Sequence, residues 1–289
     1  MITSLREVDL HLHAGLERNV SMNDLLNWCE KDGRKIVSLI DHDFLYWRSP
    51  EEFRAWLSRK GFKQRYSCGV EGIRQFFAHV ALQREKRKHK IKIFQAIEVY
   101  NQKLGTTEKL ASLPIDLYIG LDIFALEVRT YGDQPGAGKE LRRWAEALSR
   151  LCIERDLIGI ICHPFMYTYE KILKSGSVSP ELRRAGTIYL PEEIESMVGS
   201  SWPDRVYLEV SGKRIINLYL NYPKIYRMLA NTLRQLKQLG VPFTIGSDYH
   251  SVPPGMPYAP EKPCEEAGLQ LEDFKIIDAL LERFERRYS

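Results

Sequence analysis

The sequence predicts a closed or nearly closed α/β barrel of seven parallel strands, with a helical insertion after the second. Short apolar segments alternate with helical ones along almost the whole chain. Most of these segments are rich in Ile, Val and Leu, as strands covered on both faces are. The 289 residues suit one large barrel-type domain, 1–289. Strand, helix and strand repeated in this way imply a parallel sheet with helices outside. An open doubly wound sheet is the alternative. No G-x-G-x-x-G or G-x-x-x-x-G-K-[ST] follows any strand, so its nucleotide-binding version lacks its main support.

The strands are expected at 7–13, 35–43, 91–100, 115–124, 157–165, 205–212 and 241–250. In the first, Val8, Leu10 and Leu12 alternate with Asp9, His11 and His13, which places the second set on one face. The second is an apolar run closing on Asp41-His42-Asp43. The stretch that follows is too long for one crossover helix and has room for two, an insertion at about 44–90. In the third strand Glu98 shares a side with Phe94 and Ala96. The fourth ends near Phe124. The fifth carries His163 before Pro164, which favours extended backbone there. In the sixth, Glu209 faces either the interior or a helix. The seventh puts Asp248 and His250 on one face, and five prolines between 251 and 263 then predict a stiff loop. Helices are expected at 22–32, 51–60, 72–88, 138–156, 192–198, 224–239 and 271–287.

Composition narrows the function classes. The hydrophobic fraction of 44% and charged fraction of 28% are ordinary for a globular protein and exclude a disordered tail or a collagen. A net charge of +4 does not by itself call for nucleic acid, membrane or an acidic substrate. No apolar run approaches the ~20 residues a bilayer requires, and the charged N-terminus is not a signal peptide. Five scattered cysteines without a C-x-x-C pair favour reduced thiols in a cytoplasmic protein.

Five of the seven histidines, His11, His13, His42, His163 and His250, fall at or near the C-terminal ends of predicted strands. In α/β barrels that end is the active-site rim. With Glu98 and Asp248 they make seven N/O donors, more than one tetrahedral ion needs. Imidazoles mixed with carboxylates and no thiolates suit Zn²⁺, Mn²⁺ or Fe. Two or three neighbouring divalent ions, bridged by Glu98 or Asp248, are the natural reading. Asp41 or Asp43 can orient the His42 ring, although strand alternation points both elsewhere.

The strings Asp9-Leu10-His11-Leu12-His13, Leu39-Ile40-Asp41-His42, Ala96-Ile97-Glu98-Val99, Cys162-His163-Pro164 and Gly246-Ser247-Asp248-Tyr249-His250 together resemble the PHP (polymerase and histidinol phosphatase) family. The resemblance spans nearly the whole chain, and the opening H-x-H and closing G-S-D-x-H are its most specific parts. It implies a (β/α)7 barrel, a distorted TIM-like form, with a di- or trinuclear metal centre and phosphoesterase activity. By motif position it implies ligation by His11, His13, His42, Glu98, His163, Asp248 and His250. Two positions depart from the family pattern. The loop after H-x-H lacks a histidine and offers Glu17. The fourth strand has Ile123 at the histidine step, with Asp122 one residue early. Both departures bear on a third ion.

The expectation is therefore a metal-dependent hydrolase, a phosphoesterase acting on a small phosphorylated substrate. Asp248 is expected to serve both as metal ligand and as proton acceptor. An amidohydrolase-type C–N hydrolase and a non-catalytic metal-stabilised binding module are the alternatives. Arg18, Arg48 and Arg129 are loop cations within reach of a phosphate, and the aromatics of 44–48 are candidates to line a pocket. The basic run 84–92 would serve a nuclease, but no aromatic residues interleave it, and a solvated helix end is the expectation there.

Overall fold

The computed structural model describes residues 2–14, 20–42, 49–60, 66–111, 113, 120–248 and 259–288. Within them, seven strands form one sheet in sequence order, every neighbouring pair parallel: β1 (Val8–His13), β2 (Ile36–His42), β3 (Lys92–Tyr100), β4 (Ile123–Glu127), β5 (Ile158–Cys162), β6 (Val206–Ser211) and β7 (Phe243–Gly246). The helices are α1 (Met22–Lys31), α2 (Pro50–Lys60), α3 (Gly69–Arg87), α4 (Asn101–Leu104), α5 (Thr107–Ala111), α6 (Ala137–Arg155), α7 (Met166–Ser175), α8 (Pro180–Ala185), α9 (Pro191–Val198), α10 (Gly212–Asn221), α11 (Pro223–Gln238), α12 (Glu261–Glu266) and α13 (Ile276–Tyr288). The expected alternation of strand and helix is therefore present, with two helices between β2 and β3.

The strands form because their side chains are apolar on both faces, and nearly all are buried. The barrel nearly closes where the end of β7 meets β1. There the Asp248 N–H donates to the His11 carbonyl at 2.8 Å and the Ser247 N–H to Asp9 Oδ1 at 2.8 Å. This seam dictates a glycine. A Cβ on Gly246 would lie 2.2 Å from the His11 Cβ and 2.6 Å from Glu209 Oε1. On its other side, β1 carries one extra residue between Asp9 and Leu12 relative to β2, a bulge that re-aims the chain just below the two histidines.

Several expectations require correction. The fourth strand lies at Ile123–Glu127; of the expected 115–124, residues 115–119 lie outside the described residues. Gly120 turns with φ +76°, and β4 begins beyond it, where Ile123 can pair with Ala96 of β3. Asp122 consequently stands at the opposite end of the barrel from the histidines. It is fully buried, accepting from Arg84 at 3.0 Å, Arg283 at 3.0 Å and the Tyr288 hydroxyl at 2.8 Å. It is a structural ion pair and not a metal ligand. The basic run is likewise not a purely solvated helix end. Arg84 and Arg87 are buried, Arg84 donating to the Ile93 carbonyl at 2.6 Å and Arg87 to Asn23 and Asn27. Helices α4, α5, α7, α8, α10 and α12 were not anticipated, and Pro263 of the expected stiff loop sits within α12.

Candidate metal centre

Parallel strands deliver side chains to one rim of the barrel. His11 and His13 come from β1, His42 from the last residue of β2, Glu98 from β3, Glu127 from the end of β4, His163 from just past β5, Glu209 from β6 and Asp248 from just past β7. The registers bring them level, with His42 opposite Glu98 and Glu127 opposite Cys162.

Glu98 is the hub. Its Oε2 lies 3.5 Å from His11 Nε2, 3.5 Å from His13 Nε2 and 3.0 Å from His42 Nδ1. Its Oε1 lies 3.5 Å from His163 Nε2. Asp248 Oδ1 stands 3.5 Å from His13 Nε2 and 4.0 Å from His11 Nε2. The Nε2 atoms of His11 and His13 face one another at 3.1 Å.

The residues fit divalent metal. Both Glu98 carboxylate oxygens and both His163 ring nitrogens are buried and make no well-directed hydrogen bond among the described residues, although His42 Nδ1 approaches Glu98 Oε2 at 3.0 Å. Buried polar atoms are ordinarily paired or coordinate metal. Among the described residues, three donor groups lie within 4.8 Å internally: His11, His13 and Glu98; Glu98, Glu127 and His163; and His11, Cys162, His163 and Glu209. Glu98 belongs to the first two, the position of a carboxylate that bridges neighbouring ions. The third group adds a buried thiol, where imidazoles and carboxylates alone were expected.

Surrounding groups fix the donors. Glu209 Oε1 accepts from His11 Nδ1 at 2.8 Å, and its Oε2 accepts from the His163 N–H at 2.8 Å. This leaves His11 Nε2 to face the centre. The Tyr167 hydroxyl donates to Glu127. Tyr100 Oη lies 3.1 Å from His42 Nδ1. Asp41 accepts from the His42 N–H at 2.9 Å, so it touches the backbone and not the ring. Arg214, in the first turn of α10, donates to Asp248 Oδ2 at 2.9 Å and to Glu170 at 3.3 Å.

The electrostatics follow from this packing. Burial opposes charge on Glu98, yet His11 and His42 hold its carboxyl well below the usual carboxylate range. Burial likewise opposes charge on Asp248, and His13, His163 and His11 hold it well below. Burial would lower the His11 value, but Glu209, Cys162 and Glu98 outweigh it and raise it well above the ordinary. Burial and the Glu98 charge push Glu127 upward, against His163. Burial lifts Asp41 to about 7.

Two donors sit on strained backbone. His163 has φ +31° and Asp248 φ +56°, conformations that L-residues adopt at a cost and that cluster at functional sites. The extended backbone expected at His163 is thus not observed. Its N–H bonds Glu209 while its carbonyl accepts from the Met166 N–H at 3.0 Å, which turns the chain into α7.

The structure therefore brings His11, His13, His42, Glu98, His163 and Asp248 together. His250, Glu17, Arg18, Asp43 and the segment 44–48 with Arg48 lie outside the described residues. Arg129 is exposed at the rim, donating to the Tyr131 hydroxyl at 2.8 Å and lying 4.7 Å from the Tyr167 ring centre. Glu127, Cys162 and Arg214 were not anticipated, and Glu209 proves to face the interior.

The fold is that of a known class of barrel. No family model matches the chain, and no curated protein matches it by sequence. Among solved structures it is similar to histidinol phosphate phosphatase (HISK) from Lactococcus lactis, determined with zinc, L-histidinol and phosphate. The TM-score is 0.52 at 12% identity, over 92% of this chain and 95% of that one. A protein described as the histidinol phosphatase hisK of Listeria monocytogenes gives a TM-score of 0.52 at 12% identity, over 85% and 96%.

Proposed function

We propose that this chain is a metal-dependent phosphoesterase acting on a small phosphomonoester. The observation that carries the reading is the buried Glu98 carboxylate shared by two donor groups. In this reading His11, His13, Glu98 and Asp248 hold one divalent ion and Glu98, Glu127 and His163 a second. His42, with His250, is the candidate set for a third. The mixed imidazole and carboxylate set suits zinc, manganese or iron. Such ions, when bound, supply Lewis acidity and lower the pKa of water near neutral pH.

The chain's own groups do the rest. Asp248 is assigned both as metal ligand and as proton acceptor because its Oδ1 stands at the centre, 3.5 Å from His13 Nε2 and 4.0 Å from His11 Nε2. Arg214 places its guanidinium against Asp248 Oδ2, a positive charge beside the position a phosphoryl group would take. Glu209 keeps His11 in one tautomer and orientation. The bound phosphate and L-histidinol of the Lactococcus lactis protein support a small phosphorylated substrate.

Arg84 and Arg87, turned inward, remove two cations from the surface a nuclease would need. None of the five cysteines is in a disulfide, which fits the expected reducing compartment. No helix among the described residues is long and apolar enough to cross a membrane. The test is hydrolysis of an aryl phosphate ester with added Mn²⁺ or Zn²⁺. Turnover abolished by a chelator and restored by metal supports the reading. Absence of turnover with any divalent ion contradicts it.

A further inference from the structure

The segment that leaves the barrel after β4 places a guanidinium at the rim beside the proposed centre. Glu127 ends β4, and Arg129 follows two residues later, exposed, between the buried Val128 and Thr130. The loop is fixed there: the Arg129 N–H donates to Oδ1 of the buried Asn101, the first residue of α4, at 3.3 Å. The side chain is held as well. Its Nε and Nη2 donate to the Tyr131 hydroxyl at 3.2 and 2.8 Å. Its Cζ lies 4.7 Å from the Tyr167 ring centre and 5.7 Å from that of Tyr131. The two rings meet edge to face, with centres 6.2 Å apart. Tyr167 in turn donates its hydroxyl to Glu127 of the second donor group.

The cations at this rim differ in their counter-ions. Arg214 is paired with Asp248 and Glu170, and Lys171, beside the Tyr131 ring, with Asp133 at 2.6 Å. Arg129 makes no ion pair with any described residue. Its side-chain contacts among them are the two tyrosines, and its Nη1 donates to none. The Nη1–Nη2 end of a guanidinium presents two parallel N–H donors that match a carboxylate or a phosphate. Packing against the tyrosine rings orders the long side chain beforehand, so less freedom is lost when an anion arrives. Arg129 also stands one tyrosine further out than the donor groups. The anion it meets is therefore another part of the substrate and not the phosphoryl group under attack.

We propose that Arg129 is a specificity-determining residue that binds a second oxyanion, a carboxylate or a phosphate, on the alcohol portion of the phosphomonoester. The inference rests on the phosphoesterase reading and narrows it. The same charge disfavours a substrate whose alcohol portion carries an ammonium group. Because the guanidinium is exposed, salt screens the interaction. Its strength is that of a well-oriented surface ion pair and not of a buried one.

The test compares alkyl phosphomonoesters of graded chain length that end in a methyl, a carboxylate, a second phosphate or an ammonium group. Phosphate release by the metal-loaded protein gives kcat/KM for each. The esters differ in intrinsic reactivity, so the measure is how each ratio to the methyl ester changes on Arg129→Gln, where that difference cancels. We expect the variant to lose about fivefold in the ratio for the best-fitting carboxylate or bisphosphate, carried by KM, the upper range for an exposed ion pair. The ratio for the ammonium ester should rise. Whichever oxyanion shows the larger loss is the group that Arg129 binds. Added salt should shrink the wild-type preference. Arg129→Lys, which keeps the charge without the planar fork, should retain part of it. Metal content should match wild type in both variants. Ratios that do not move in Arg129→Gln, while the esters are hydrolysed, overturn the role of Arg129 and leave the phosphoesterase reading standing. Loss of metal in that variant also overturns it and makes Arg129 a support for Glu127 through Tyr167. A wild-type protein that hydrolyses none of the esters overturns the phosphoesterase reading and this inference with it.

Discussion

Glu209 Oε1 and His11 Nδ1 meet at 2.8 Å inside the barrel, with both residues 1% exposed. The bond selects one tautomer of His11, the one whose Nε2 faces His13, Glu98 and Asp248. In the proposed centre, a carboxylate in this position would raise the basicity of the ring that offers its other nitrogen to metal. Glu209→Gln keeps the size and an accepting oxygen but removes the charge. We expect metal affinity to fall by about 10–100-fold, the usual cost of losing such an orienting group, with the fold intact. A competition titration against a chromophoric chelator measures this. Affinity equal to wild type would show that Glu209 serves packing only.

Asp248→Asn isolates charge and basicity from shape. Asparagine also tolerates the left-handed backbone at this position, φ +56°. Turnover should fall by ~10² or more, within the range for general acid–base groups. The variant's metal content has to be measured in parallel. Full occupancy with near-wild-type turnover would remove Asp248 from proton transfer. Loss of metal and activity together would leave it a ligand and no more.

The opposite end of the barrel makes a contrasting prediction. Asp122 is fully buried between Arg84 and Arg283. Asp122→Asn leaves the buried Arg84 without its carboxylate and Arg283 with Asp156 alone, a change expected to cost about 3–5 kcal/mol. Chemical denaturation should show the loss, while the folded fraction keeps its full complement of metal. A specific loss of metal without loss of stability would return Asp122 to the list of ligands.

Asp156 gathers Arg205 at 2.9 Å, Arg283 at 3.2 Å, Arg286 at 3.1 Å and Arg287 at 3.2 Å. Burial opposes its charge, but these guanidiniums hold its carboxyl below the ordinary range. A carboxyl whose folded pKa is depressed stabilises the fold above its unfolded value, about 3.9, and loses that contribution as pH falls through the folded value. Asp156→Asn should therefore be less stable than wild type at neutral pH, and the gap should close below about pH 4. Denaturation midpoints of both proteins across this range decide it; a gap independent of pH would mean that the charge does not matter here.

Much of this arrangement was legible in the residues, for a physical reason. A parallel barrel strand is apolar throughout, so a histidine or carboxylate at its C-terminal end stands out, and H-x-H on β1 does so twice. Glu127 escaped because the apolar run around Gly120 reads as the strand itself, whereas pairing with β3 carries β4 on to Glu127 opposite Tyr100. Arg214 escaped because the run from Ile215 to Leu220, dense in Ile, Leu and Tyr, suits strand as well as helix. Only once 212–221 is a helix does its first turn bring Arg214 to Asp248. The turn at His163 was hidden because Pro164 speaks for extended backbone locally, while the Glu209 bond that overrides it comes from another strand. Arg84 and Arg87 look like surface charge in sequence, since their partners lie on other elements, such as Asp122 and Asn23.

The most direct test of the central claim is the metal content of metal-replete protein, counted by elemental analysis per folded chain. In the proposed function, the two donor groups that share Glu98 would hold at least two divalent ions per chain. That count is what this account expects, and Glu98→Gln should lower it. One equivalent or less in the wild-type protein would contradict the shared-carboxylate centre on which the proposed function stands.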